Sequence, residues 1–342
     1  MECRVNLLGF GVLAACTPAP EPEGPPPAPT TDTGTPGTTP PTTVIDTAAS
    51  TGATGDTAPP PEAFDCTTVP ASPSGQGMID AARGSYDLTF DDQGYLFGWD
   101  NGLRKADAYG SAQMVSPPLN NIQGMDWLPD GDLAVGEIDT EALLRVNVTS
   151  GAVSLISTDV NAYGLKVGPD GMIYAGTDDA PGGGKLVRID PAAGVREVLV
   201  NDPRFNVRSI DFSPDFTKMY LGTYFGDGRL WVVDLDANLD PIGDAYVFHP
   251  NIGDGIEHDA LGVDICGNIY VIDYGTLTMY RLTPEGEKVV FMTFPNGHYG
   301  HGITWGSGIG GWDANTIYMP EPWYGNTVIS VDVGVPSRAW TP

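Results

Sequence analysis

Apolar and polar residues alternate along much of this chain in short runs, and the runs recur. QGMDWLPDGDLAVGE, Gln123 to Glu137, shows the unit. Met125, Trp127, Leu133 and Val135 fall at alternate positions on either side of Pro129-Asp130-Gly131. Period-two alternation predicts two half-buried strands, and Pro-Asp-Gly predicts the tight turn between them. YGLKVGPDGMIYAGT (Tyr163 to Thr177) keeps the same frame, and RSIDFSPDFTKMYLGT (Arg208 to Thr223) has one extra residue in its turn. DALGVDICGNIYVID (Asp259 to Asp273) and YDLTFDDQGYLFGWD (Tyr86 to Asp100) are looser copies, and His301 to Glu321 is a stretched sixth. Two further apolar runs follow each copy, as ALLRVNV and AVSLIST follow Glu137. No segment holds a helical period over ten residues. Four strands per unit, repeated six times at roughly 40-residue spacing, predict an all-β six-bladed β-propeller with four-stranded antiparallel blades. Two segments compete to close the ring: SRAW near the end of the chain, and CTTVP (Cys66 to Pro70) from the other side.

Composition changes sharply before the repeats. Residues 17–63 are rich in Pro, Thr, Gly and Ala with few large apolar side chains, which predicts a disordered stalk. A flexible coil of that length reaches roughly 35–40 Å, and its prolines extend it further. Residues 1–16 contain an apolar run, Val5 to Ala15, too short to span a bilayer and typical of a signal peptide. It ends in Leu13-Ala14-Ala15-Cys16, which resembles the lipobox of bacterial lipoproteins. The resemblance implies lipidation at Cys16 and contact with the membrane through that anchor only. Because Thr17 is not Asp, it also implies the outer membrane of a bacterial cell envelope. With Cys3 and Cys16 so assigned, Cys66 and Cys266 remain, either as a disulfide or as two separate thiols. The expected organisation is therefore signal peptide 1–16, linker 17–63 and propeller 64–342. The net charge of −28 excludes nucleic acid as a partner, since phosphate binding needs clustered cations. A monomer is expected.

Propeller geometry brings the starts of the first strands together over the channel mouth. Those positions are Tyr86, Gln123, Tyr163, Arg208, Asp259 and His301. The second-strand ends, which include Glu137, Asp273 and Glu321, lie on the same face, and His298 sits just before blade six. Asp259, His301 and His298 are candidate ligands for a divalent cation, Ca or Zn. Asp259, His301 and Arg208 are candidate catalytic residues, with Arg208 clamping an anionic substrate. Tyr86, Gln123, Tyr163, Glu137, Asp273 and Glu321 are candidate ligand contacts. Plainer roles fit the same residues. Carboxylates at strand ends meet solvent, Arg208 can neutralise Asp259, and Asp126 and Asp211 are placed to tie strands together.

The Pro-Asp-Gly units, and DALGVDICGNIYVID most of all, resemble the gluconolactonase/regucalcin superfamily of six-bladed propellers. The resemblance implies a divalent metal held by a Glu, an Asn and an Asp at first-strand starts. Asp259 matches the Asp, but Tyr86 stands at the Glu position, Arg208 at the Asn position and Tyr163 at a further Asn. The usual metal site is incomplete. Three readings of function follow: a module that binds a small molecule, glycan or protein at its mouth; a metal-assisted hydrolase or lyase with a rearranged, lactonase-like site; and a structural envelope protein.

Overall fold

The computed structural model describes residues 64–79, 84, 86–177, 184–202, 206–223, 228–253, 258–295, 300–321 and 327–338, together with two short strands earlier in the chain. His298, the side chain of Asp259 and nearly all of the expected signal peptide and stalk lie outside the described residues. The chain divides into two units, Met1–Pro60 and Pro61–Pro342. In the first, β1 (Cys3–Arg4) pairs antiparallel with β2 (Ala15–Cys16).

The second unit is the six-bladed propeller. Its first strand, β3 (Gly75–Ile79), belongs to the last blade. Blade one is β4 (Thr89–Phe90), β5 (Leu96–Trp99), β6 (Leu103–Ala106) and β7 (Ala112–Met114). Blade two is β8 (Ile122–Trp127), β9 (Leu133–Glu137), β10 (Ala142–Val146) and β11 (Val153–Thr158). Blade three is β12 (Leu165–Val167), β13 (Ile173–Thr177), β14 (Lys185–Ile189) and β15 (Arg196–Asn201). Blade four is β16 (Val207–Phe212), β17 (Lys218–Thr223), β18 (Leu230–Asp234) and β19 (Tyr246–His249). Blade five is β20 (His258–Val263), β21 (Ile269–Asp273), β22 (Thr278–Leu282) and β23 (Lys288–Thr293). Blade six is β24 (Thr304–Trp305), β25 (Thr316–Glu321) and β26 (Thr327–Asp332), completed by β3.

The ring is therefore closed from the N-terminal side, by neither expected segment. CTTVP begins with a short 3-10 turn, Cys66–Thr68, and the pairing strand is GQGMI, with Gly75 opposite Asp332 and Ile79 opposite Val328. Of SRAW, Ser337 makes a single bridge to Asp264 in blade five. A disulfide joins Cys66 to Cys266, pinning the segment before β3 to the turn of blade five. Phe64 and Val69 pack there against the core of blades five and six.

The turns take the expected form. In blade two, Gly131 N–H donates to Leu128 O at 2.9 Å and Gly131 holds a φ of +85°, a region that costs other residues a Cβ clash. Blades meet through alternating apolar faces: Phe97 of β5 packs edge-on to Trp127 of β8, with ring centroids 5.2 Å apart.

Channel-facing aspartates hold adjacent blades in register. Asp126 accepts from its own neighbour Trp127 N–H at 2.9 Å and from Val167 N–H of blade three at 2.8 Å. Asp211 repeats this with Phe212 and, in blade five, Val263, both at 2.8 Å. Asp87 does the same with Leu88 at 2.9 Å and Met125 of blade two at 3.0 Å. The innermost strands of neighbouring blades do not share a sheet ladder, so these carboxylates satisfy backbone donors that no strand partner reaches.

Candidate functional site at the channel mouth

The starts of the first strands surround a small cavity, with a volume of about 50 Å³, at one end of the channel. Tyr86, Gln123, Tyr163, Arg208 and His301 line it. The polypeptide frame is what gathers them, since each stands one step before the apolar alternation that buries its strand.

Arg208 lies flat against Tyr163, with its guanidinium carbon 3.3 Å from the ring centroid. The stack fixes the cation's plane and shields one face of it from water. The ring of Tyr86 meets the imidazole of His301 edge-on at 5.8 Å and packs against Trp99 at 5.9 Å. Burial, reinforced by the charge of Arg208, pushes the His301 pKa down to about 3, so the imidazole is neutral at physiological pH. Gln123 donates from Nε2 to Asn121 Oδ1 at 3.0 Å, and Asn121 in turn donates to Asp139 at 2.9 Å.

The outer carboxylates are placed differently. Glu137 accepts from Asn120 N–H at 2.6 Å and from the Thr140 hydroxyl. Asp273 accepts from Thr276 N–H at 3.2 Å, and Glu321 from Thr327 Oγ1 at 2.9 Å. All three are buried, and each braces chain adjacent to its own strand; none lines the cavity.

Two charged lining residues went unnoticed in the sequence, Asp87 and Lys166. They form the floor of the cavity. Burial, with a smaller push from Asp126, raises the Asp87 pKa to about 7 against the opposing pull of Lys166 and two backbone donors. Burial works against the Lys166 ammonium, but Asp126, Asp211 and Asp87 together outweigh it and hold its pKa above the ordinary lysine value. At the far side of this cluster Arg338 donates to Asp211 Oδ1 at 2.8 Å. A signal was available. Aligned on the turns, the column containing Asp87 otherwise reads Gly124, Gly164, Ser209, Ala260 and Gly302, all small. A charged residue in that column must enter the channel.

The architecture and the polar mouth define a class, the six-bladed propeller with a site over its central channel. Within that class the chain belongs to the family described as the SMP-30/gluconolactonase/LRE-like region, whose sequence model matches residues 92–319. No curated protein sequence matches the chain. Solved structures share the fold. A calcium-binding regucalcin from Agrobacterium tumefaciens is 18% identical, with a TM-score of 0.64, covering 77% of this chain and 95% of its own. A gluconolactonase from Xanthomonas campestris is 14% identical, with a TM-score of 0.61 and coverage of 75% and 88%. An auxiliary nutrient binding protein from Bacteroides thetaiotaomicron is 13% identical, with a TM-score of 0.59 and coverage of 78% and 74%.

A family that contains a calcium-binding protein raises the question of a cation here. The described residues do not fit one. Among them no group of three His, Cys, Asp or Glu side chains is placed to hold a metal ion. Arg208 brings a fixed positive charge to the cavity where a cation would need carboxylate or carbonyl oxygens. Asp259 is the second residue of the first strand of blade five, but its side chain lies outside the described residues, as does all of His298.

Proposed function

We propose that this propeller is the ligand-binding head of a lipid-anchored envelope protein, and that its mouth holds a small molecule through a carboxylate. The observation that carries this reading is the guanidinium of Arg208, stacked on Tyr163 in a cavity shared with a neutral imidazole. A planar, pre-oriented guanidinium suits bidentate contact with a carboxylate. Neutral His301, Gln123 and the Tyr86 hydroxyl supply further hydrogen-bond partners at no cost in repulsion. In this reading Arg208 provides the positive charge that a metal ion would otherwise bring. The lipobox-like stretch ending in Cys16 and the Pro/Thr-rich residues 17–63 support a head tethered to the outer membrane.

Family membership supports a second reading, a lactonase-like hydrolase. Calorimetry and turnover on the purified full chain separate the two. Gluconate and similar sugar acids are expected to bind in the presence of a chelator, and Arg208→Met is expected to weaken them about tenfold or more, the loss of a charge-assisted bidentate contact. Hydrolysis of gluconolactone that a chelator abolishes would favour the hydrolase and defeat the binding reading.

A further inference from the structure

The floor of the cavity carries a charge that the mouth reading does not use. Three carboxyl groups, Asp87, Asp126 and Asp211, face two cations, Lys166 and Arg338, so full ionisation would leave one negative charge in excess, and burial resists it by raising the Asp87 pKa to about 7. Arg338 is committed to Asp211, and Lys166 is drawn among all three carboxylates. Of those carboxylates, only Asp87 reaches the cavity wall. It is half-buried, and Gly302 beside it presents no side chain; a β-carbon there would run into Asp87 Oδ1. Each Asp87 oxygen accepts one backbone N–H, at 2.9 and 3.0 Å. A carboxylate offers about four acceptor sites, so capacity remains on the cavity side.

The cavity therefore presents a guanidinium at the mouth and, at the floor, a carboxyl group that a bound cation would hold ionised. We propose that its ligand is a small zwitterion, an amino acid in the broad sense, whose carboxylate meets Arg208 and whose ammonium meets Asp87. The proposal rests on the carboxylate-binding reading of the same cavity and adds the second charge. An ammonium at the floor favours the ionised form of Asp87 and cancels the charge that ionisation adds to the cluster. A purely anionic ligand brings no cation to Asp87. A neutral sugar satisfies neither pole. The cavity volume of about 50 Å³ limits the enclosed part of the ligand to a compact polar group, which an ammonium is. Lys166 is not a rival site for an anion, because the charges of Asp126, Asp211 and Asp87 already act on it.

Matched pairs of ligands test this on the full chain by calorimetry at neutral pH: propionate against β-alanine, and butyrate against 4-aminobutyrate. In at least one pair the amino acid is expected to bind about tenfold tighter than the plain acid, the value of a charge-assisted hydrogen bond. Asp87→Asn is expected to reduce that ratio to near one while the affinity for the plain acid barely moves. Arg208→Met is expected to weaken both members. Because the ratio is read first on the unaltered protein, the result does not depend on how well Asp87→Asn folds. Equal affinity within both pairs overturns the zwitterion and leaves carboxylate binding standing. A preference that survives Asp87→Asn also overturns it, since Asp87 is then only a blade staple. If none of the four compounds binds and gluconate does not bind either, both readings fall together.

Discussion

Asp87 and His301 share one cavity, and burial drives their protonation toward neutrality from opposite directions. Asp87 is raised to about 7, so the folded protein holds its proton where the unfolded chain does not. Its contribution to stability is full below the ordinary Asp value of 3.8 and is lost as pH rises through 7. Urea unfolding between pH 4 and pH 8 is expected to show a decline that Asp87→Asn flattens; an unchanged slope would mean that the carboxylate is charged throughout. His301 has the opposite sign. Its folded pKa of about 3 lies below the ordinary 6.5, so its contribution is present above 6.5 and fades as pH falls toward 3. Its ring resonances in an NMR titration are expected to stay constant from pH 8 to pH 5. A step near pH 6.5 would show an open, solvated imidazole and would undercut the neutral donor proposed for the mouth.

At the scale of strands and turns, small residues decide how closely blades approach. Gly176, the next-to-last residue of β13, lies directly against the carbonyl of Val207 in blade four, and Gly136 of β9 lies against that of Ala162. A methyl group at either position meets backbone, which cannot rotate away. Gly176→Ala is expected to destabilise the propeller by about 1–3 kcal/mol, in the range of overpacked cores, as measured by denaturant unfolding. The turn of blade four departs from its relatives, with Phe216 at a φ of +58° where other blades carry glycine. Its ring packs against Phe212 at 5.7 Å and under Arg338 at 5.0 Å, and these contacts offset the backbone strain. Period-two alternation and the Pro-Asp-Gly turns made the first two strands of each blade legible, because local sterics and one-sided burial act within a few residues. The contacts of Gly176 with Val207 and of Phe216 with Arg338 were not legible, because those partners come from elsewhere in the chain.

At the scale of the whole molecule, closure of the ring depends on the segment from Phe64 to Ile79. It is held by the disulfide, by the pairing of β3 with β26, and by Arg281 donating to Pro70 O. The disulfide spans a sequence separation of 200, so its loss frees a large loop in the unfolded chain. Replacing Cys66 and Cys266 together by Ser is expected to cost about 2–4 kcal/mol, read as a lowered unfolding midpoint that reductant lowers no further. An unchanged midpoint would assign closure to β3 alone.

By itself the sequence determined the repeat, the all-β propeller and five positions that rim its mouth, Tyr86, Gln123, Tyr163, Arg208 and His301, because alternation and turn chemistry are local and repeat six times. It left Cys66 and Cys266 open between a disulfide and two separate thiols, and the closing strand open between two segments; the structure chose the disulfide and a third segment. Only the tertiary structure decided that Arg208 stacks on Tyr163, that Glu137, Asp273 and Glu321 turn to their own blades, and that Asp87 and Lys166 form the floor. Charge and burial at a point in space depend on side chains from several blades at once, and no single stretch of sequence carries that sum.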